Sequence, residues 1–163
     1  MSIRDVSFDK EGGFMNTKTY EINSTTCALI SQDNFTTIVI DNNGKHTINS
    51  PIDEVLDYSC GYYGSSLKGR LEGTKHILGS KYKLPIIIEE TKEIIFFPTT
   101  SIKNNKCVWL SLKNISDYQK KDSKLQITFK NKISLTLNIS YESFENQILR
   151  ATKLLLIIKN RKK

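Results

Sequence analysis

The chain has 163 residues, of which 38% are hydrophobic and 25% charged, and this composition excludes wholesale disorder and fits one folded domain. Its net charge of +7 is uneven, because residues 1–60 carry four Lys/Arg and nine Asp/Glu whereas residues 61–163 carry twenty and eight. A basic second part is typical of a protein that binds a polyanion, most simply nucleic acid. A basic surface kept for solubility explains the charge alone equally well.

The sequence has no segment typical of export, membrane insertion or disulfide bonding. The amino terminus lacks the apolar run of a signal peptide, and the longest apolar run, LLLII at residues 154–158, is too short for a bilayer. Cys27, Cys60 and Cys107 are far apart and odd in number, which indicates buried thiols rather than disulfides or zinc ligands. We therefore expect a cytoplasmic protein without a cofactor or a metal.

Most of the chain is predicted to be sheet, because nine stretches are alternating or rich in β-branched residues. Turn signals at residues 41–45 (DNNGK) and 130–133 (KNKI) separate strand-like stretches and favour antiparallel hairpins. No internal repeat or linker divides residues 1–163, so we predict a single domain with residues 1–14 disordered. The predicted strands are TYEIN, CALIS, TTIVID, KHTIN, PIIIEE, EIIFFPT, CVWLSL, LQITF and ISLTLNIS.

The first predicted helix is SPIDEVLDYSC, residues 50–60. Ser50 is expected to cap it, with Pro51 at the first helical position. The acidic residues that follow complement the positive end of the helix dipole, so three separate start signals agree.

The second predicted helix lies in SCGYYGSSLKGRLEGT, residues 59–74, which contains four of the eight glycines. Glycine permits a positive φ or a close approach to the backbone, so this concentration indicates that another group comes close. If Ser65 or Ser66 caps a helix here, helical spacing divides the residues that follow into two faces. The inner face has Leu67, Leu71, Thr74 and Leu78, and the outer face has Ser65, Gly69, Gly73 and His76.

The outward glycines have two interpretations. Lys68 and Lys75 along one margin and Arg70 along the other would let the helix lie against a phosphate backbone, and the capped amino end adds N–H groups for an anion. Alternatively, Gly69 and Gly73 allow another helix or strand of the chain to pack there. Spacing alone does not decide between them.

The final predicted helix begins at Ser140 and directs Arg150 and Lys153 away from an apolar face. Further apolar residues extend that face, which fits either a core helix or a contact with a second subunit, and burial in the core is the commoner fate. The fold class is therefore α+β: a mostly antiparallel sheet with a central glycine-rich helical segment and a C-terminal helix. The apolar face has Phe144, Ile148, Ala151, Leu155 and Ile158, and the extension has Leu154, Leu156 and Ile157.

No set of residues with complementary catalytic roles is present, so we expect neither an enzyme nor catalytic residues. His46 and His76 are the two histidines, and neither belongs to a nucleophile or metal motif. The cluster of Glu89, Glu90 and Glu93 is more simply a solvated turn between strands.

Six separated motifs resemble a known family. They are SCGYYGSSLKGRLEGT, KLPIII, IIFFPTTS, CVWLS, ITFKNKISL and ISYESFENQ, in that order. They resemble the family of the bacterial competence transcription factor ComK, in which the first motif is similar to the signature region. The resemblance runs from about Ser59 to Ala151, and several motifs in the right order are more specific than any one glycine pattern.

The resemblance implies an activator at the nucleoid that binds A/T-rich boxes of double-stranded DNA largely through the minor groove. It also implies a homo-oligomer on the promoters of competence and DNA-uptake genes. Minor-groove recognition separates mainly A·T from G·C, and narrow A-tract grooves attract Arg and Lys. In this interpretation the serines hold phosphates, the lysines neutralise them and Arg70 enters the groove. The candidate DNA-binding residues are Ser65, Ser66, Lys68, Gly69, Arg70, Gly73 and Lys75, with Arg150 and Lys153 as further candidates.

The chain departs from the family pattern at three positions of the first motif. Gly61 stands where a basic residue is expected, and Tyr62 and Tyr63 stand where phenylalanines are expected, so DNA affinity or geometry should differ. Cys60 and the aromatic pairs, Tyr62 with Tyr63 and Phe96 with Phe97, are expected to be structural. The chain ends at IIKNRKK, whereas longer members continue into a tail associated with adaptor-guided proteolysis, which argues against a proteolytic adaptor as a partner.

The alternative function is a non-catalytic interaction protein, or a degenerate regulator without promoter binding.

Overall fold

A computed structural model of the chain describes residues 6–7, 16–100 and 106–162. These residues form a mixed α+β fold that is mostly antiparallel sheet and ends in a helix, which confirms the predicted fold class. The strands are β1 (Val6–Ser7), β2 (Asn16–Thr17), β3 (Ala28–Ser31), β4 (Thr37–Asp41), β5 (Gly44–Ile48), β6 (Ile86–Glu89), β7 (Ile94–Pro98), β8 (Val108–Ser111), β9 (Ile115–Lys121), β10 (Lys124–Phe129) and β11 (Ser134–Leu137). The helices are α1 (Ile52–Tyr62), α2 (Leu67–Leu78) and α3 (Tyr141–Arg161).

The strands form two sheets. Seven strands pair in the order β2-β5-β4-β3-β8-β7-β6, and four pair in the order β1-β11-β10-β9. Among the described strands, β2 and β5 are parallel and the other pairs are antiparallel. The predicted turns at residues 41–45 and 130–133 are confirmed, because they join β4 to β5 and β10 to β11.

Both faces of the seven-stranded sheet are buried, which explains why its central strands read as continuous apolar runs rather than as alternating ones. One face packs against the four-stranded sheet and α3, where Phe97, Ile127 and Phe144 share a core. The other face packs beneath α1, where Trp109 and Leu56 belong to a second core. The sheet is therefore the middle layer of the fold.

The predicted strand TYEIN, residues 19–23, does not form a strand. The backbone of Ile22 bonds to side chains in and next to α1 and not to a neighbouring strand. Its N–H donates to Ser59 Oγ at 3.0 Å, and its carbonyl accepts from the Tyr63 hydroxyl at 3.1 Å. Ile22 is still fully buried, so its apolar side chain was a correct signal for the core but not for a strand.

Strands β1, β2 and β9 are present although the sequence did not predict them. The two residues of β1 pair with β11, so Val6–Ser7 join a sheet despite the prediction of disorder; the rest of residues 1–14 lie outside the described part of the chain. Strand β9 was missed because five of its seven residues are exposed and polar, which weakens the apolar alternation of a strand.

The three predicted helices are confirmed, with one difference at the start of α1. Pro51 is the N-cap of α1 and Ser50 is not, because the Ser50 hydroxyl donates instead to the Lys18 carbonyl at 2.7 Å. Helix α3 starts as predicted, with Ser140 Oγ accepting from the Ser143 N–H at 3.1 Å. None of the helices in the described residues has the length and apolarity that a membrane span requires.

A buried polar network fixes the hairpin between β4 and β5. His46 Nε2 lies 2.8 Å from Asp41 Oδ1, and Asp41 Oδ2 accepts from the Tyr20 hydroxyl at 2.8 Å. The Asn43 N–H in the turn donates to the same Asp41 carboxylate at 2.8 Å. His46 therefore holds a turn in place in this structure, and burial raises the pKa of the Tyr20 phenol.

The three cysteines are free and buried, as the sequence indicated. Burial raises the pKa of Cys27 to about 12 and that of Cys60 to about 11, and it also raises the pKa of Cys107. At about pH 8 native Cys27 and Cys60 should therefore react with a disulfide reagent such as DTNB at least about 100-fold more slowly than in the unfolded chain, and Cys107 should also react more slowly. Rapid modification of any of these thiols in the folded protein would contradict their burial.

Candidate nucleic-acid interface

Helix α2 lies along the edge strand β6 and also contacts α1 and α3. Its inner side is the one predicted from helical spacing. Leu67 and Leu71 pack on the core beneath α1, Leu78 packs on the core shared with α3, and Thr74 between them is buried. The helix therefore straddles the sheet edge and contributes to both cores.

Both ends of α2 are set by local interactions. Ser66 caps the start, where its Oγ accepts from the Gly69 N–H at 3.0 Å, and Gly79 ends the helix in the left-handed conformation with φ of 70°. Asp57 of α1 accepts from the Leu67 N–H at 2.9 Å. Two N–H groups at the amino end of α2 therefore already have acceptors within the chain, and Asp57 places a carboxylate near the positive end of the helix dipole.

Gly69 and Gly73 lie on the open side of α2. A Cβ at Gly73 would have no atom within 4 Å, and one at Gly69 would meet Ser66 Oγ at 3.1 Å and Ser65 Oγ at 3.6 Å. No other helix or strand of the described chain packs on these glycines, so the alternative of internal packing does not hold there. A glycine costs the helix about 0.5–1 kcal/mol relative to alanine, and nothing inside the described fold requires one at Gly73.

The exposed side of α2 combines these glycines with charged residues. Lys68 and Lys75 are exposed beside the glycines, in agreement with the predicted margin, and Glu72 is exposed between them. The result is a smooth, weakly positive surface rather than a strongly basic one. We refer to this surface as the glycine face, and it consists of Lys68, Gly69, Glu72, Gly73, Lys75 and His76.

Arg70 points to the sheet edge and not to the glycine face. Its Nη1 lies 3.5 Å from Glu90 Oε1, and the side chain is only 22% exposed. Arg70 is about 60° around the helix from Leu67, so it borders the buried stripe. The predicted entry of Arg70 into a groove would require this ion pair to break, and the geometry gives the residue a structural role instead.

The glutamates of the β6–β7 turn bind cations instead of being simply solvated. Glu90 pairs with Lys162 of α3 as well as with Arg70, and Glu93 pairs with Lys159 at 2.8 Å. These ion pairs link α2 and α3 to the same edge of the sheet, while the packing of Leu67, Leu71 and Leu78 on the two cores orients the glycine face.

Arg150 was predicted as an exposed cation but binds the loop between α2 and β6. Its guanidinium donates to Gln147 Oε1 at 2.9 Å, and to Ser80 Oγ and the Tyr82 carbonyl at 2.6 Å each. Burial lowers the pKa of Arg150, which stays fully protonated near neutral pH all the same. Arg150 therefore fixes the loop that follows α2, whereas Lys153, one turn further along α3, is exposed.

Two exposed tyrosines beside α2 were not predicted as candidate site residues. Tyr63 is structural as expected, since its hydroxyl binds the Ile22 carbonyl. Tyr62 is 64% exposed and Tyr58, one turn earlier on α1, is 44% exposed. Their spacing of four residues on the side of α1 away from its buried residues was the available signal. Gly61 is exposed too, so the cation expected there would have faced solvent.

Comparison with known proteins gives a consistent assignment. The sequence profile of the ComK protein family matches residues 17–163. Over 137 residues the chain is 30% identical to the competence transcription factor of Bacillus subtilis (strain 168), covering 82% of this chain and 71% of the relative. No solved structure matches the chain. The matched range contains α1, α2 and the whole glycine face.

If the glycine face is open, then Gly73→Ala should stabilise the folded protein by about 0.5–1 kcal/mol, because the new methyl group meets no atom and alanine is the better helix former. Urea denaturation with an unchanged m value measures this. The matched control is Gly79→Ala, which should destabilise because φ there is 70°. A loss of stability in Gly73→Ala would mean that the position is constrained inside the fold.

Proposed function

Since the chain belongs to the ComK family, we propose that it is a competence transcription factor that binds double-stranded DNA through the glycine face of α2. The observation that supports this most is the outward Gly73 with open space above it, next to Gly69, which is bordered only by the Ser65 and Ser66 hydroxyls. Because Gly69 and Gly73 have no side chains, a phosphate backbone is able to come closer to the helix backbone than it could if any other residue stood at these positions. The two glycines lower helix stability, and an external partner explains why they are there.

The charged residues of the glycine face support a backbone-directed contact. The proposal gives Lys68 and Lys75 the role of neutralising phosphates on either side of the glycines. Ser66 Oγ accepts from the Gly69 N–H, which leaves the hydroxyl hydrogen of Ser66 for a phosphate oxygen. Ser65 lies next to it, half-buried, at the start of the helix. Lys153 on α3 is exposed and remains a candidate further from the glycines.

The proposed target is the A/T-rich box, contacted largely from the minor groove. Few side chains on the glycine face are suited to reading base edges, so selectivity would come from groove width and deformability. A smooth helix face fits only where the flanking phosphates are correctly spaced, and that spacing depends on the sequence of the duplex. In this account the protein acts at the nucleoid, in the cytoplasm, as an activator.

A second copy of the chain is proposed to bind through α3. Leu149 is 60% exposed and Leu156 is 58% exposed, and the two are seven residues apart on the same side of the helix. Leu154, predicted in the same contact, is fully buried in the protein's own core, and Ile157 is half-buried. Paired boxes would then be bound by paired subunits. A strictly monomeric complex on a two-box duplex, measured by light scattering, would contradict this assembly.

The DNA-binding proposal is tested by titrating an A/T-box duplex and a G·C-rich duplex of equal length in a gel-shift assay. The wild-type chain should bind the A/T-box duplex more tightly. Gly73→Val should lose at least about tenfold in affinity for that duplex, because the branched side chain separates helix and phosphate, while the protein stays folded. Valine at Gly69 is a poorer test, since a Cβ there lies 3.1 Å from the capping Ser66 Oγ.

The matched control places valine at Thr19, an exposed position outside α2 and α3. Thr19→Val should bind DNA like the wild-type chain. Equal affinity of the wild-type chain for both duplexes would indicate mere polyanion binding, and no affinity for either would favour a non-catalytic interaction protein. Normal binding by Gly73→Val would exclude the glycine face as the contact surface.

A further inference from the structure

The β9–β10 hairpin carries a group of lysines outside the glycine face. Residues 115–129 contain three lysines and two aspartates, and all three lysines lie beside the turn. Lys120 and Lys121 at the tip of the hairpin are exposed. Much of the positive charge of the second part of the chain therefore lies outside α2.

The hairpin presents its lysines on a short, defined tip. Lys121 pairs in register with Lys124 and Lys120 with Leu125, and the intervening turn begins at Asp122 with φ of 57°. Residues opposite each other on antiparallel strands share a face, so Lys121 and Lys124 direct two ammonium groups to the same side. Ammonium groups placed together in this way present a positive surface to an anion.

The hairpin is anchored on one face and open on the other. Leu125 and Ile127 are buried in the core, and Tyr118 packs on Phe144 of α3 with ring centroids 5.0 Å apart. On the opposite face the Gln119 side-chain amide donates to Gln126 Oε1 at 3.2 Å, and the neighbouring side chains are polar. An anchored hairpin with a polar outer face and a basic tip has the chemistry of a strand pair that lies against nucleic acid.

We propose that the tip of the β9–β10 hairpin, through Lys120 and Lys121 with Lys124, binds the phosphate backbone of the same duplex that the glycine face contacts. This inference rests on the proposed function and deepens it. Ammonium groups act as point charges on phosphates and do not identify bases. The hairpin therefore supplies affinity that is independent of sequence, and the glycine face supplies the preference for A/T boxes.

The test is the double variant Lys120→Gln/Lys121→Gln, titrated against the A/T-box and G·C-rich duplexes over a range of salt. Affinity for both duplexes should fall by the same factor, on the order of tenfold at low salt, so that their ratio is unchanged. The slope of log affinity against log salt should become shallower by about 1.8, because each lost phosphate contact removes roughly 0.9. Thermal unfolding should match that of the wild-type chain, since both residues are exposed.

Two controls separate a phosphate contact at the hairpin tip from an effect of net charge alone. Lys18→Gln/Lys92→Gln removes the same charge from exposed positions elsewhere and should bind DNA like the wild-type chain. Lys120→Arg/Lys121→Arg keeps the charge at the tip and should also bind normally.

Each remaining outcome has one meaning. Unchanged binding and salt slope in Lys120→Gln/Lys121→Gln would overturn the hairpin contact and leave the proposed function intact. An equal loss in Lys18→Gln/Lys92→Gln would also overturn it, because the effect would then be one of net charge. A change in the A/T to G·C ratio would overturn the division of roles. If the wild-type chain binds neither duplex, the proposed function fails and the hairpin contact fails with it.

Discussion

Burial of both faces of the seven-stranded sheet is the constraint on which the rest of the structure depends. One face is covered by the second sheet and α3, and the other by α1, so α2 is left to cover the edge at β6. A helix in that position buries one narrow stripe and contributes to both cores with it. Its opposite side faces away from the described fold, and this is the side where the chain places Gly69 and Gly73.

An ion pair and the Ser66 cap add to the packing of α2, which orients the glycine face. Glu90 holds Arg70 of α2 and Lys162 of α3, and Arg150 holds the loop that follows α2. Asp57 accepts from the Leu67 N–H and joins the amino end of α2 to α1. Arg70 and Arg150, which the sequence predicted as DNA-binding residues, thus make contacts within the fold. The proposed DNA contact is made by the glycines and lysines of the glycine face.

Local patterns in the sequence were sufficient to predict the features that depend on neighbouring residues, such as helix faces, helix caps and most strands. The spacing of Leu67, Leu71 and Leu78 located the buried side of α2 and, by exclusion, the open side with its glycines. The Ser66 cap and most of the strands were predictable for the same reason. The family resemblance added a function that spacing alone could not establish.

Long-range partners were not predictable from local patterns. The pairing of Arg70 with Glu90 depends on α2 lying at one particular sheet edge, and the contact of Arg150 with Ser80 depends on how α3 crosses the loop. The polar strand β9 has no apolar alternation to identify it, because five of its seven residues are exposed and polar. Sequence reasoning therefore did not predict the partners of either arginine or the strand β9.

The most direct test of the account is to map backbone amide chemical shifts of the 163-residue chain by NMR while an A/T-box duplex is added. If α2 meets DNA through the glycine face, the largest changes should fall at Lys68, Gly69, Gly73 and Lys75, and the buried amides of α2 such as that of Thr74 should move less. Binding that leaves these four amides unchanged while others shift would contradict the central claim.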